Sequence, residues 1–194
     1  MSQNKTTIEK SKLIIGEGKE DVIFFSQLIE YLEINDIQVI DYGGKDELNK
    51  YLKTLPKIPG FSNLRFLGIT RDADKSFDYA SKSIEDSLIK HKLNEIENLK
   101  IEKFILPDNS SPGMLEDLCL KSIDTDEISC IESFFQCMEK STGRKSNKIS
   151  KAKIYAWLST QEHPDKRLGV AVQAGYIKSD NEAFKELTNF INNI

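Results

Sequence analysis

Through the first 120 positions, short continuous apolar runs alternate with helically spaced apolar residues, and turn chemistry divides them. Leu13-Ile14-Ile15 closes a first strand over residues 12–15, and Gly18 opens a helix whose Val22, Phe25, Leu28, Ile29 and Leu32 share one face. Asn35-Asp36 makes a turn into a second strand over 37–42. Gly43-Gly44 ends that strand, and residues 45–53 read as a short helix before Pro56 and Pro59-Gly60 break the chain. A third strand over 64–69 leads into Thr70-Arg71-Asp72-Ala73-Asp74. Ser76 then caps a helix carrying Phe77, Ala80, Ile84, Leu88 and Ile89. The fourth strand, 101–106, is followed by a loop rich in Pro, Asn, Ser and Gly and by a helix over 114–123 with Pro112 at its start.

Four strand–helix units in succession predict an α/β fold: a sheet of about four mainly parallel strands flanked by helices, joined by right-handed crossovers. From Asp124 onward the strand signal fades. Helices are expected over 128–140, with Ile131, Phe134, Phe135 and Met138 on one side, over 148–159, and over 181–191. Residues 162–175 read as irregular or as a short helix. The division expected is an α/β domain over 1–123 and a helical C-terminal subdomain over 124–194 packed on it. Residues 1–11 read as a frayed polar end.

At 194 residues and 39% hydrophobic content, the chain is long and apolar enough for one real core. No apolar run approaches the roughly 20 residues that span a bilayer, and the first residues lack an apolar signal region, so a cytoplasmic protein without membrane contact is expected. Cys119, Cys130 and Cys137 form no C-x-x-C pair and read as reduced thiols; Cys130 and Cys137, seven apart, read as buried on one helix face. His91 and His163 give little support to a zinc site. The net charge of −4 is unevenly spread: residues 1–139 hold 17 Lys and Arg against 26 Asp and Glu, whereas residues 140–167 hold 8 against 2. Such a basic segment is either a polyanion-binding surface or a solvated helix and loop.

Ligands bind beyond the carboxyl ends of strands in open parallel sheets. Three of the four expected ends carry acids: Glu17, Asp72 with Asp74, and Asp108. Carboxylates brought together repel unless a cation lies between them, and oxygen ligands of this kind suit Mg²⁺. One ion or a pair would polarise a phosphoryl group or activate a water. The alternatives are structural. Acids also complement the N-termini of helices, a role open to Glu17, Asp21, Asp74 and Glu116. Asp108-Asn-Ser-Ser fits a turn better than a ligand, whereas Glu17 between two glycines and the Asp72-Ala-Asp74 pair fit a site better. Gly16-Glu17-Gly18-Lys19 matches neither nucleotide-loop spacing. Gly43-Gly44-Lys45 is either a phosphate-binding turn or a plain strand-to-helix turn. No G-x-S-x-G nucleophile elbow is present.

Gly16-Glu17-Gly18 after a strand, Asp21 four residues beyond Glu17, and Asp72-Ala-Asp74 after a later strand together resemble the Toprim domain of topoisomerases, primases and nucleases of the overcoming-lysogenization-defect (OLD) type. The segment 106–117 also resembles small standalone Toprim-like proteins of unknown function. The likeness spans about residues 12–120. It implies metal-ligating and acid–base roles for Glu17, metal-ligating roles for Asp72 and Asp74, a second-metal role for Asp21, and a late acid at Glu116 or Asp117. The 194 residues hold no counterpart of the topoisomerase gate with its tyrosine, of the primase zinc and polymerase parts, or of a Walker-type loop.

Two functions follow as expectations. The first is a Mg²⁺- (or Mn²⁺-) dependent phosphoryl-transfer enzyme of the nuclease kind, with Glu17, Asp72 and Asp74 catalytic and Glu17, Asp21, Asp72 and Asp74 holding metal. Lys19, Lys45, Arg71 and Lys75 would then neutralise phosphate, and the segment 144–153, with Tyr155 and Trp157 nearby, would grip a nucleic-acid backbone. Trp157 as a plain core residue is the competing reading. The second is a module that binds metal and nucleotide or nucleic acid without turnover, as a partner subunit. Protein partners and self-association stay open in both.

Overall fold

The computed structural model describes residues 7–164 and 167–194. Four parallel strands form one sheet: β1 (Lys12–Gly16), β2 (Ile37–Asp41), β3 (Phe66–Asp72) and β4 (Lys100–Leu106), in the spatial order β2-β1-β3-β4. The chain leaves central β1 in one direction to reach β2, then crosses to the opposite side for β3 and β4. That reversal makes the β1/β3 boundary a switch point, where the connections part and leave a crevice at the carboxyl ends.

The crossovers sit on opposite faces, as a constant crossover hand requires. Helix α1 (Lys19–Tyr31) joins β1 to β2. Its Phe24, Phe25 and Leu28 pack on Ile14 and Phe104 on one face. On the other face, α2 (Leu48–Thr54) and α3 (Phe77–Lys90) cover Leu13, Ile15, Leu67, Ile69 and Ile105 through Leu48, Leu52, Ala80 and Ile84. The alternation of Leu13, Ile14 and Ile15 between these two clusters is the period-2 signature of a strand buried on both sides.

The remaining helices are α4 (Leu115–Leu120), α5 (Thr125–Thr142), α6 (Ile149–Leu158), α7 (Leu168–Gln173) and α8 (Lys185–Asn193). They contribute Leu118, Ile131, Ile154, Trp157, Ala171, Leu187 and Ile191 to the same cluster as α1. The α1–α7 contact is intimate because Gly169 carries no side chain; a Cβ there would lie 2.6 Å from the Cβ of Ile23.

Several expectations are corrected. Residues 7–11 are not frayed: the Ile8 amide donates to the Pro59 carbonyl (2.8 Å), Ile8 is buried, and Gln38 binds the backbone of Thr7 and Glu9. Residues 1–6, the rest of that expected frayed end, lie outside the described residues. Strand β3 continues through Thr70, Arg71 and Asp72, because pairing with β4 runs to Asp72↔Leu106. Ile89 is exposed. The expected helix over 181–191 opens as a 3-10 turn at Glu182–Phe184 before α8. On α5, Ile131 is buried, but Phe134 and Met138 are 52% and 41% exposed, and Cys130 and Cys137 are exposed rather than buried. Among the described residues, α5 packs chiefly against α6 and leaves most of its length exposed, which the periodicity of a single helix cannot reveal.

Candidate metal and phosphate site

The turn out of β1 is shaped by what Gly16 lacks. A Cβ on Gly16 would fall 2.8 Å from the Cβ of Asp21, so the bare backbone lets Asp21 fold back under the strand end. The Gly18 amide donates to Asp21 Oδ2 at 2.8 Å, which ties down one of the free amides at the start of α1. Helix α4 opens in the same way, with the Met114 amide donating to Asp117 Oδ2 at 2.8 Å. At the end of β3, Asp72 accepts the Leu115 amide on Oδ1 at 3.0 Å. Two residues on, Asp74 exchanges both backbone hydrogen bonds with Gly113 (2.8 and 2.9 Å) and takes a left-handed φ of 51°. These bonds hold the β3 end and the start of α4 beside the β1 end.

A cleft of about 490 Å³ opens at this place, lined by Glu17, Asp21, Asp72 and Glu116, with Lys19 and Lys151 among the cations at its edge. Burial is the main force on the acids here. It pushes Glu17 up to about 7, with the nearby charges of Asp21 and Asp74 adding and those of Arg71 and Lys45 opposing. It pushes Asp21 up to about 6 against the pull of the Gly18 amide, with Glu116 adding. Asp72 rises well above the usual carboxylate range, through burial first and then the charges of Asp21, Glu17 and Glu116. Among the described residues, Glu17 Oε2 is buried without a hydrogen-bond partner. A buried, partnerless acidic oxygen among other carboxylates costs folding free energy, and such costs concentrate at functional sites.

The expected residues divide as follows. Glu17, Asp21 and Asp72 line one cleft, and the charge of Asp74 reaches Glu17, although Asp74 itself pairs with Lys45 at 3.6 Å. Lys19 lines the cleft. Arg71 does not: it is buried on the α3 side and donates to Ser83 Oγ at 2.9 Å. Lys75 is exposed and is not among the lining residues. The Gly44 amide is already engaged by the Glu17 carbonyl at 2.8 Å, so the Gly43-Gly44 turn holds the β1 end rather than offering that amide to phosphate. Asp108 is a turn residue, as its sequence context suggested: it accepts the Ser111 amide (2.7 Å) and the Lys121 ammonium (2.7 Å). Burial would raise it, but these donors hold it below the usual carboxylate range. Asp117 caps α4 and accepts the Ser150 hydroxyl, which leaves Glu116 as the late acid facing the cleft.

Four residues that sequence spacing did not single out complete the rim. Lys151 pairs with Glu116 at 3.3 Å, Arg167 pairs with Glu20 at 3.5 Å, and Asp41 lies at the end of β2. Burial opposes the charge of Lys151, but Glu116 holds its pKa above the ordinary value. Both lie in the basic stretch 140–167 already noted, Arg167 as its last residue, after a loop with no periodic pattern. Of the other cations of that stretch, Lys145 and Lys153 pair with Glu139 and Glu132 of α5, Lys140, Arg144 and Lys148 are exposed, and Lys166 lies outside the described residues. Trp157 is core, donating to Glu127 at 3.1 Å, and is not placed to stack on a base; Tyr155 is 41% exposed.

Among the described residues, no three His, Cys, Asp or Glu side chains are arranged to close on a metal ion as they stand. Asp21, Asp72 and Asp74 each give an oxygen to an amide or an ammonium instead. The donor set is nonetheless all oxygen, is destabilised as a group of anions, and includes one oxygen with no partner; these features fit a hard divalent cation. Also among the described residues, no helix is long and apolar enough to cross a membrane.

A family described as "Protein of unknown function (DUF3226)" matches residues 11–194. No curated protein gives a significant match. Solved structures similar to this chain include the C-terminal region of the Burkholderia pseudomallei OLD protein, at 15% identity over 96% of this chain and 98% of that one, with a TM-score of 0.49. The C-terminal region of the Xanthomonas campestris pv. campestris OLD protein is similar at 16% identity over 95% and 96%, with a TM-score of 0.40.

Proposed function

The chain belongs to the DUF3226 family, whose function is unknown, and we propose that it is a Mg²⁺- or Mn²⁺-dependent phosphoryl-transfer protein acting on nucleic acid, of the nuclease kind. The observation that carries this reading is the buried Oε2 of Glu17, unpartnered among the described residues, at the switch point of the sheet and among carboxylates that cannot all be charged at low cost. Glu17 and Asp72 would hold the ion, with Asp74 and Asp21 joining as their ammonium and amide partners release them. When bound, the ion would neutralise phosphate oxygens and polarise the phosphoryl group or an attacking water.

The chain's own residues do the rest. Lys19, Lys151 and Arg167 present positive charge at the cleft rim, where a phosphate backbone would lie, and Lys45 stands beside Asp74. Lys151 and Arg167 are held by Glu116 and Glu20 at distances of a few ångströms, and a polyanion would exchange those partners for phosphate oxygens. With a pKa of about 7, Glu17 can take or give a proton near neutral pH whenever the ion is absent. Incubating the protein with labelled single- and double-stranded DNA and RNA in Mg²⁺ and in Mn²⁺ tests the reading. Cleavage by the wild type, lost in Asp72→Asn with an unchanged circular dichroism spectrum, is expected. Equal cleavage by both proteins refutes it.

A second reading rests on a separate observation: the carboxylates are turned to amide and ammonium partners rather than preassembled around an ion. It is a module that binds metal together with nucleotide or nucleic acid and does not turn it over. Tight, Mg²⁺-dependent nucleic-acid binding without cleavage in either metal distinguishes it.

A further inference from the structure

Among the described residues, helix α5 is covered on one side only. Ile131 and Phe135 pack into the core, whereas Cys130, Phe134, Cys137 and Met138 are exposed or nearly so. At about 100° per residue, Cys130, Phe134, Cys137 and Met138 fall within roughly 100° of one another, a continuous apolar stripe along the helix. Neutral Ser133 and Ser141 border it. The ends differ in charge: Asp124, Asp126 and Glu127 are exposed at the start of α5, whereas Lys140 and Arg144 are exposed at its finish, where Glu139 is paired with Lys145; Glu132, midway, is paired with Lys153 of α6. Exposed contiguous apolar surface of this kind marks an interaction face.

We propose that the occupant of this face is α5 of a second copy, lying antiparallel across a two-fold axis at Phe134. Such an axis makes residue i meet j and j meet i. With Phe134 on the axis, Cys130 comes opposite Met138 and within one residue of Cys137 of the other copy. Asp124 comes opposite Arg144, so the acidic start of each helix meets the basic end of the other, and the helix dipoles oppose. A parallel pairing would set acid against acid and base against base. The excess of acid at one end and of base at the other, with Glu132 and Glu139 already paired, therefore favours a second copy in this direction. This pairing is independent of the chemistry of the cleft.

The test uses the full chain. Sedimentation over a range of concentrations should show a dimer for the wild type. The double variant Phe134→Glu, Met138→Glu should be a monomer with the same far-ultraviolet circular dichroism spectrum, since both side chains are exposed. Mild copper-catalysed oxidation by oxygen should then join the wild-type copies through Cys130–Cys137 disulfides, two thiols giving two electrons and two protons to the oxidant for each bond. Cys119 is buried and does not compete. Cys130→Ser and Cys137→Ser should each abolish the covalent dimer while the non-covalent dimer persists. A monomer at all concentrations, a dimer indifferent to the double variant, or a crosslink surviving in either single-cysteine variant overturns the proposal.

Discussion

Glu17→Gln should make the metal-free protein more stable, and only at neutral and alkaline pH. The carboxyl of Glu17 is raised from 4.5 to about 7 in the fold, chiefly by burial and then by Asp21 and Asp74. A group whose pKa is raised on folding binds its proton more tightly in the native state, so stability is lost as pH rises through the interval between the two values. At about 1.4 kcal/mol per unit, that shift costs below ~1 kcal/mol at pH 5 and about 3 kcal/mol at pH 8. Glu17 is partly open to the cleft, and solvent screening brings the latter to about 2 kcal/mol. Glutamine keeps the shape of the protonated acid and removes the charge, so urea unfolding in chelator should show little difference at pH 5 and a gain of about 1–2 kcal/mol at pH 8. The shifts of Asp21 and Asp72 share this repulsion, so the stability of the wild type itself should fall between pH 5 and pH 8 by more than one group accounts for. Equal loss of stability by the variant at both pH values would refute the reasoning, because the carboxylate would then be stabilising rather than frustrated.

Other expectations follow from single contacts. Gly16→Ala sets a Cβ 2.8 Å from Asp21 and should cost about 1–3 kcal/mol in denaturant while weakening any Mg²⁺ response. Gly169→Ala pushes α7 off α1 at a 2.6 Å contact and should cost a similar ~1–3 kcal/mol with that response intact. Lys151→Ala and Arg167→Ala should each weaken nucleic-acid binding alike across sequences, reducing the slope of log affinity against log salt by about 1; an unchanged slope places the nucleic acid elsewhere.

The α/β plan was legible because each strand is a short apolar run ended by Gly, Pro or acid, and each crossover helix shows a 3.6-residue face. The acids were legible for the same reason: Glu17 and Asp72 sit where an apolar run stops, and a parallel sheet brings such ends to one edge. What sequence spacing concealed depends on long-range packing. Asp21 is explained in part by the Gly18 amide it caps, a geometry visible only once Gly16 is seen to leave room for it. Lys151 and Arg167 reach the cleft because α6 and α7 fold back over α1 and α4. Arg71 is drawn away by Ser83 because β3 runs three residues further than the apolar run suggests. The fate of the α5 stripe was undecidable from periodicity, since a buried face and a docking face have the same spacing.

The claim that the carboxylate cluster is a divalent-cation site is tested most directly by thermal melts at pH 7.5 in chelator, in Mg²⁺ and in Mn²⁺, for wild type and Asp72→Asn. At a hundredfold excess over its dissociation constant a ligand of the native state contributes about 2.7 kcal/mol, on the order of 5–10 °C for a chain of this size. A rise of that order in the wild type and none in Asp72→Asn is the predicted result. No rise in the wild type, or the same rise in both, contradicts the account.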